Sequence, residues 1–135
     1  MLALYQIPFD TNQQKVEIIQ GWNGPWSHFD QDECGVDMTH AVDFKLPVGT
    51  EVLAMRNGRI VGISTLSHEC YRGTDYFLGN SFGHTNYLII AHHDGTYGLY
   101  SHLAYHAEQV VIGEYIWQGQ PLAYTGLSGW VGPHP

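Results

Sequence analysis

Apolar and polar positions alternate most regularly between Thr39 and Ile63, THAVDFKLPVGTEVLAMRNGRIVGI. Side chains of a strand alternate between its two faces. Ala41, Asp43 and Lys45 are therefore expected on one face, and Val42, Phe44 and Leu46 on the other. The turn residues Pro47-Val48-Gly49-Thr50 end this strand, and Asn57-Gly58 predicts a tight hairpin further on. The stretch reads as strand, turn, strand, tight turn, strand, with one acid, Asp43, set among apolar neighbours on its first strand. A carboxylate so placed needs a cation, a donor or a metal to offset its desolvation. A turn cap, or pairing with Arg56 or Arg59, would meet that need as well as a metal would.

The same alternation recurs in Asn86–His92 (NYLIIAH) and Gly98–His102, which flank His93-Asp94-Gly95-Thr96 and predict a second hairpin. Lys15–Gln20 reads as a strand, and residues 1–19 as a lead-in. Val110–Thr125 reads as short strands punctuated by Gly113 and Gly119. Ser64–Thr85 has no clear period and reads as a long loop, and Ala104–Gln109 as one helical turn. No amphipathic helix of useful length and no repeat is present. The expected fold is all-β, built from twisted antiparallel sheets and hairpins in a barrel-sandwich arrangement, with residues 1–135 as one domain.

Composition narrows the function classes. Of 135 residues, 44% are hydrophobic and 13% charged, with 16 glycines and 9 tyrosines, the balance of a turn-rich β protein. Net charge is −8 with 5 Lys plus Arg, which lacks the basic footprint that phosphate backbones require and argues against nucleic acid. No apolar run is long enough to span a bilayer as a helix, and MLALYQIPFD has neither the basic segment nor the apolar core of a signal peptide. Cys34 and Cys70 lie in polar stretches, where either one disulfide or two free thiols would be ordinary.

Asp43-Phe-x-x-Pro-x-Gly-Thr-x-Val-x-Ala-x-x-x-Gly-x-Ile60 resembles the first signature of the lysostaphin-type zinc endopeptidases, which cut peptide cross-links in bacterial cell walls. Further matches follow in that family's order. Trp26-Ser27-His28 lies upstream; Asn86–His92, Asp94-Gly95-Thr96, Tyr100-Ser101-His102-Leu103, Gly113, Gly119-Gln120 and Gly132-Pro133-His134 follow. The resemblance spans residues 20–135, and its specificity lies in the ordered set.

It implies a role for particular residues among the nine histidines. His28 and Asp43 match metal ligands for Zn2+. In the commoner branch of the family a histidine stands four residues before the Asp, where this chain has Thr39, so His28 takes that part and His40 is read as packing or surface. His102 and His134 match catalytic histidines, an imidazole being able to exchange a proton near neutral pH. Asn86 and His92 are weaker expectations, as substrate-groove contacts; His92 and His93 beside a turn read otherwise as solvated. His68, His84 and His106 read as surface residues.

The expected partner is a peptide of peptidoglycan, Gly-rich or containing D-amino acids, in the periplasm or outside the cell. The signature's second terminal histidine would fall after Pro135, so a third ligand and a closing strand are expected to be missing, with weak zinc binding, little activity and an unpaired edge open to self-association. The alternative is a non-catalytic peptidoglycan-binding or hydrolase-activating module of the same fold. A lipoyl- or biotinyl-type carrier is set aside, because Lys15 and Lys45 are the only lysines and neither sits in an exposed hairpin.

Overall fold

The computed structural model describes residues 4–13, 15–24, 38–71 and 85–130. Among the described residues ten strands run in chain order: β1 Glu17–Gln20, β2 Asp43–Lys45, β3 Glu51–Leu53, β4 Gly58–Ser64, β5 Cys70–Tyr71, β6 Tyr87–Ala91, β7 Tyr97–Ser101, β8 Tyr115–Ile116, β9 Pro121–Tyr124 and β10 Gly129–Trp130. Among the described residues there is no helix, so the all-β expectation holds and Ala104–Gln109 is irregular chain instead of a helical turn.

The chain divides into two compact units, one of Met1–Asp10 with Val48–Pro135 and the other of Thr11–Pro47. In the smaller unit β1 and β2 pair antiparallel, Glu17 opposite Lys45 and Gln20 opposite Asp43, with an irregularity between Ile18 and Gln20. Asp43 and Phe44 are half-buried and Lys45 exposed, so the expected two-faced alternation is blurred here.

The larger unit is built on a four-stranded sheet in the order β7-β6-β4-β8, with β3 and β9 forming a second antiparallel pair. The core is contiguous, comprising Val52, Ala54, Ile60, Leu88, Ile90, Tyr100, Leu103, Val110, Ile116, Leu122 and Ala123. Strand β6 shows how the pattern produces it. Leu88 and Ile90 are fully buried, while Tyr87 on the opposite face is exposed. The β6–β7 hairpin forms as expected, with Ile89 opposite Leu99. Its turn runs through Gly95, whose φ of 84° requires glycine, and the Asp94 side chain accepts from the Thr96 amide at 3.1 Å. Residues 4–9, read as lead-in, add along β3: Gln6 N–H donates to Met55 O and Leu53 N–H to Pro8 O, both at 2.8 Å.

Asn57-Gly58 does not close a hairpin. β3 pairs with β9, whereas β4 pairs with β6 and β8, so the chain turns a corner between sheets at this point. Neither residue has a positive φ. Gly58 is required for close approach instead: a Cβ there would lie 2.4 Å from Ala91 O and 2.5 Å from Ile90 Cγ2. The expected long loop after Ser64 contains β5, which pairs in parallel with β10.

Candidate active site

His102 marks the point where the chain leaves one sheet for another. Strand β7 ends at Ser101, and His102 takes φ 60°, a left-handed conformation that costs a non-glycine residue about 1 kcal/mol or more. The next residues cross to β9: Leu103 bridges Thr125, Ala104 N–H donates to Tyr124 O at 3.0 Å, and Gly126 N–H donates to His102 O at 2.8 Å. Two strand ends therefore hold the strained residue from both sides.

The ring of His102 is oriented as firmly. Its Nδ1 lies 2.7 Å from the Ser128 carbonyl oxygen. A carbonyl only accepts, so Nδ1 carries the hydrogen and, in the neutral ring, Nε2 carries the lone pair. The atom left to take a proton is thus determined.

Beneath the histidine lies a closed polar network. The Asn86 side chain donates to Ser67 O at 2.9 Å and to Leu103 O at 3.1 Å, and accepts from Ser67 N–H at 2.9 Å. The Ser128 hydroxyl accepts from Asn86 N–H at 3.0 Å and donates to Leu103 O at 2.8 Å. Asn86 is 0% exposed and Ser128 6%. Asn86, expected as a groove contact, is a buried pin whose two amide hydrogens are spent on backbone carbonyls.

His92 also differs from its expectation as a solvated or groove residue. It is buried, with Nδ1 2.8 Å from Asn57 O and its ring edge-on to Tyr5, centroids 5.6 Å apart. It fills a cradle between two glycines, since a Cβ on Gly58 would lie 3.0 Å from its Nδ1 and one on Gly98 3.1 Å from its Nε2. The signal was available. Asn86, Leu88, Ile90 and His92 share the inward face of β6 by simple alternation. Ser128 carries no comparable signal, and sequence reasoning missed it.

Tyr100, two residues before His102, is a core residue. Burial pushes its hydroxyl up to about 12, and the oxygen accepts from Met55 N–H at 2.8 Å.

Asp43 stands on β2 in the smaller unit, where Gln20 Nε2 donates to its Oδ2 at 3.1 Å. In the larger unit Arg56 pairs with Asp94, and Arg59 donates to Gly113 O. A carboxylate held by a neighbouring amide suits a metal ligand, because ligating carboxylates are themselves hydrogen-bonded. Among the described residues no three His, Cys, Asp or Glu side chains cluster as a metal site. His28 and His134 lie outside the described residues, as do His84 and Cys34. Cys70 is a free, exposed thiol. His40 is exposed beside Trp22, and His106 is paired with Glu108 at 3.8 Å, as befits surface positions.

A pocket of about 300 Å³ in the larger unit is lined by Leu4, Arg56, Asn57, His93 and Gln118. Its one arginine is already committed to Asp94.

The sequence model described as Peptidase family M23 matches residues 37–134. Among solved structures, the chain is similar to the crystal structure of a zinc containing peptidase from Vibrio cholerae, with 23% identity and a TM-score of 0.61. The match covers 94% of this chain and 33% of that one, so this chain spans about a third of that protein's length. At this identity the likeness is one of fold. No curated protein matched the chain.

Proposed function

The chain belongs to peptidase family M23, and on that premise we propose that this metallopeptidase-like domain hydrolyses peptide cross-links of bacterial peptidoglycan with zinc as its metal. The observation that carries the reading is His102, a strained residue whose ring is locked so that Nε2 is its proton-accepting atom. Strain maintained by surrounding structure is characteristic of functional positions.

Each residue has a distinct part. Asp43 and His28 would hold the zinc, with Gln20 orienting the Asp43 carboxylate. Bound zinc in such a site supplies a Lewis acid that makes water a nucleophile near neutral pH. His102 Nε2 takes the proton of the attacking water, and the resulting imidazolium donates to the departing amine or to the oxygen that gains negative charge. His134, by its place in Gly132-Pro133-His134, is the second proton-handling histidine. Asn86, buried and bonded to Leu103 O and the Ser128 hydroxyl, supports the chain around His102. The choice of a Gly-rich or D-amino-acid peptide, and a periplasmic or extracellular setting, rest on the order of the motifs.

The test measures zinc stoichiometry and cleavage of a Gly-rich peptide and of purified peptidoglycan. The assays use residues 1–135 and a longer chain carrying x-His-Phe after Pro135. Asp43→Asn should lower zinc content, whereas His102→Ala should cut turnover by about 10²-fold or more with zinc content unchanged. Peptidoglycan binding with no cleavage by either chain at saturating zinc would establish the non-catalytic module in place of the enzyme.

A further inference from the structure

We infer that Ser128, clamped by Asn86, is a positioning residue that fixes the tautomer of His102. The catalytic consequence rests on His102 acting as the proton acceptor, but the tautomer itself does not.

A neutral imidazole can carry its hydrogen on either nitrogen, and the partner of one nitrogen decides the state of the other. The contact from Nδ1 to Ser128 O, at 2.7 Å, is at the short end for an N–H donor to a carbonyl. What makes it selective is that its two ends are tied to one point. The Ser128 hydroxyl donates to Leu103 O, and Leu103 is the residue bonded to His102. The same oxygen accepts from Asn86 Nδ2, and Asn86 N–H donates back to the Ser128 hydroxyl. Leu103 N–H in turn donates to Asn86 O at 3.2 Å. Carbonyl and ring therefore cannot drift apart independently. Asn86, Leu103 and Ser128 are all at least nine-tenths buried, so water does not compete for the bonds among these three.

The inverted tautomer would set an Nδ1 lone pair against the carbonyl and leave Nε2 unable to accept a proton. The alignment of Ser128 with Nδ1 therefore bears on chemistry as well as on packing.

The experiment records imidazole ¹⁵N spectra of the protein with labelled histidine, His102 being assigned by its absence in His102→Ala. In the unsubstituted protein the neutral His102 should be the Nδ1–H form. Ser128→Ala should lower the ratio of Nδ1–H to Nε2–H by about tenfold, the worth of one well-formed hydrogen bond. Its kcat should fall with KM unchanged, and Ser128→Thr, which keeps the hydroxyl, should restore both. An Nε2–H form in the unsubstituted protein overturns the inference, and that measurement needs no variant to fold. An unaltered tautomer in folded Ser128→Ala overturns it too. A shifted tautomer with unaltered turnover would instead overturn the catalytic role of His102, and with it the catalytic half of the inference.

Discussion

Replacing Gly126 with alanine should damage stability and activity together, through one contact. A Cβ at Gly126 would lie 2.6 Å from Ala104 Cα, 2.7 Å from Ala104 N and 2.9 Å from Leu103 C. All three are backbone atoms, so none can rotate away. Ordinary contact begins near 3.4 Å, so the two segments must separate by about 0.8 Å. That separation acts directly on the bonds from Gly126 N–H to His102 O and from Ala104 N–H to Tyr124 O. Overpacking of this kind costs ~1–3 kcal/mol, and weakening two backbone hydrogen bonds adds ~1 kcal/mol. With an unfolding entropy of about 0.3 kcal/mol/K for a chain of this size, Tm should fall by about 7–13 °C. A displacement near 1 Å at a proton-handling group costs up to about 10²-fold in rate. Calorimetry gives the first number. Turnover on a Gly-rich peptide, measured well below both melting temperatures, gives the second. Gly21→Ala is the control, because among the described residues nothing lies within 4 Å of a Cβ there. Its effect should stay within about 0.5 kcal/mol. A Gly126→Ala protein with the Tm and turnover of the parent would refute the reasoning, since the approach of the two segments would then not be limiting.

Three further outcomes follow from the same structure. Gly58→Ala, with a Cβ 2.4 Å from Ala91 O, should destabilise by ~2 kcal/mol or more in chemical denaturation, whereas a turn role for Asn57-Gly58 would make it no worse than other turn glycines. Asn86→Ala strands Ser67 N–H and removes a donor from Ser67 O and Leu103 O, and should cost ~2–4 kcal/mol by the same measurement; a loss below 1 kcal/mol would mean the pin is replaceable. The Thr96 hydroxyl and the Arg56 guanidinium hold the Asp94 carboxyl well below the usual carboxylate range. A depressed folded pKa contributes stability that is present above the unfolded value of about 3.9 and is lost as pH falls below it. Asp94→Asn should therefore lower Tm at neutral pH and shrink the fall in Tm below about pH 4, and parallel Tm–pH curves would contradict this.

Alternation was enough to place β4, β6, β7 and the hairpin at Gly95, because a strand with one buried face must repeat every second residue. It also carried the inward direction of Asn86 and His92, although their polar side chains read first as groove contacts. The ordered motifs carried the family. What alternation left open was the reason for a glycine. Asn57-Gly58 looks the same whether it serves a positive φ or a close approach, and only the neighbouring Ala91 carbonyl and Ile90 side chain distinguish them. What holds Asp43 was open as well, since an amide across a strand pair and an arginine satisfy a carboxylate equally well on paper; the Gln20 amide is one donor it accepts from. The lock on His102 lies wholly beyond local sequence. Ser128 O and His102 Nδ1 meet across 26 residues, where β7 gives way to the bridge with β9, and no pattern along the chain encodes a contact made by closing two sheets on each other.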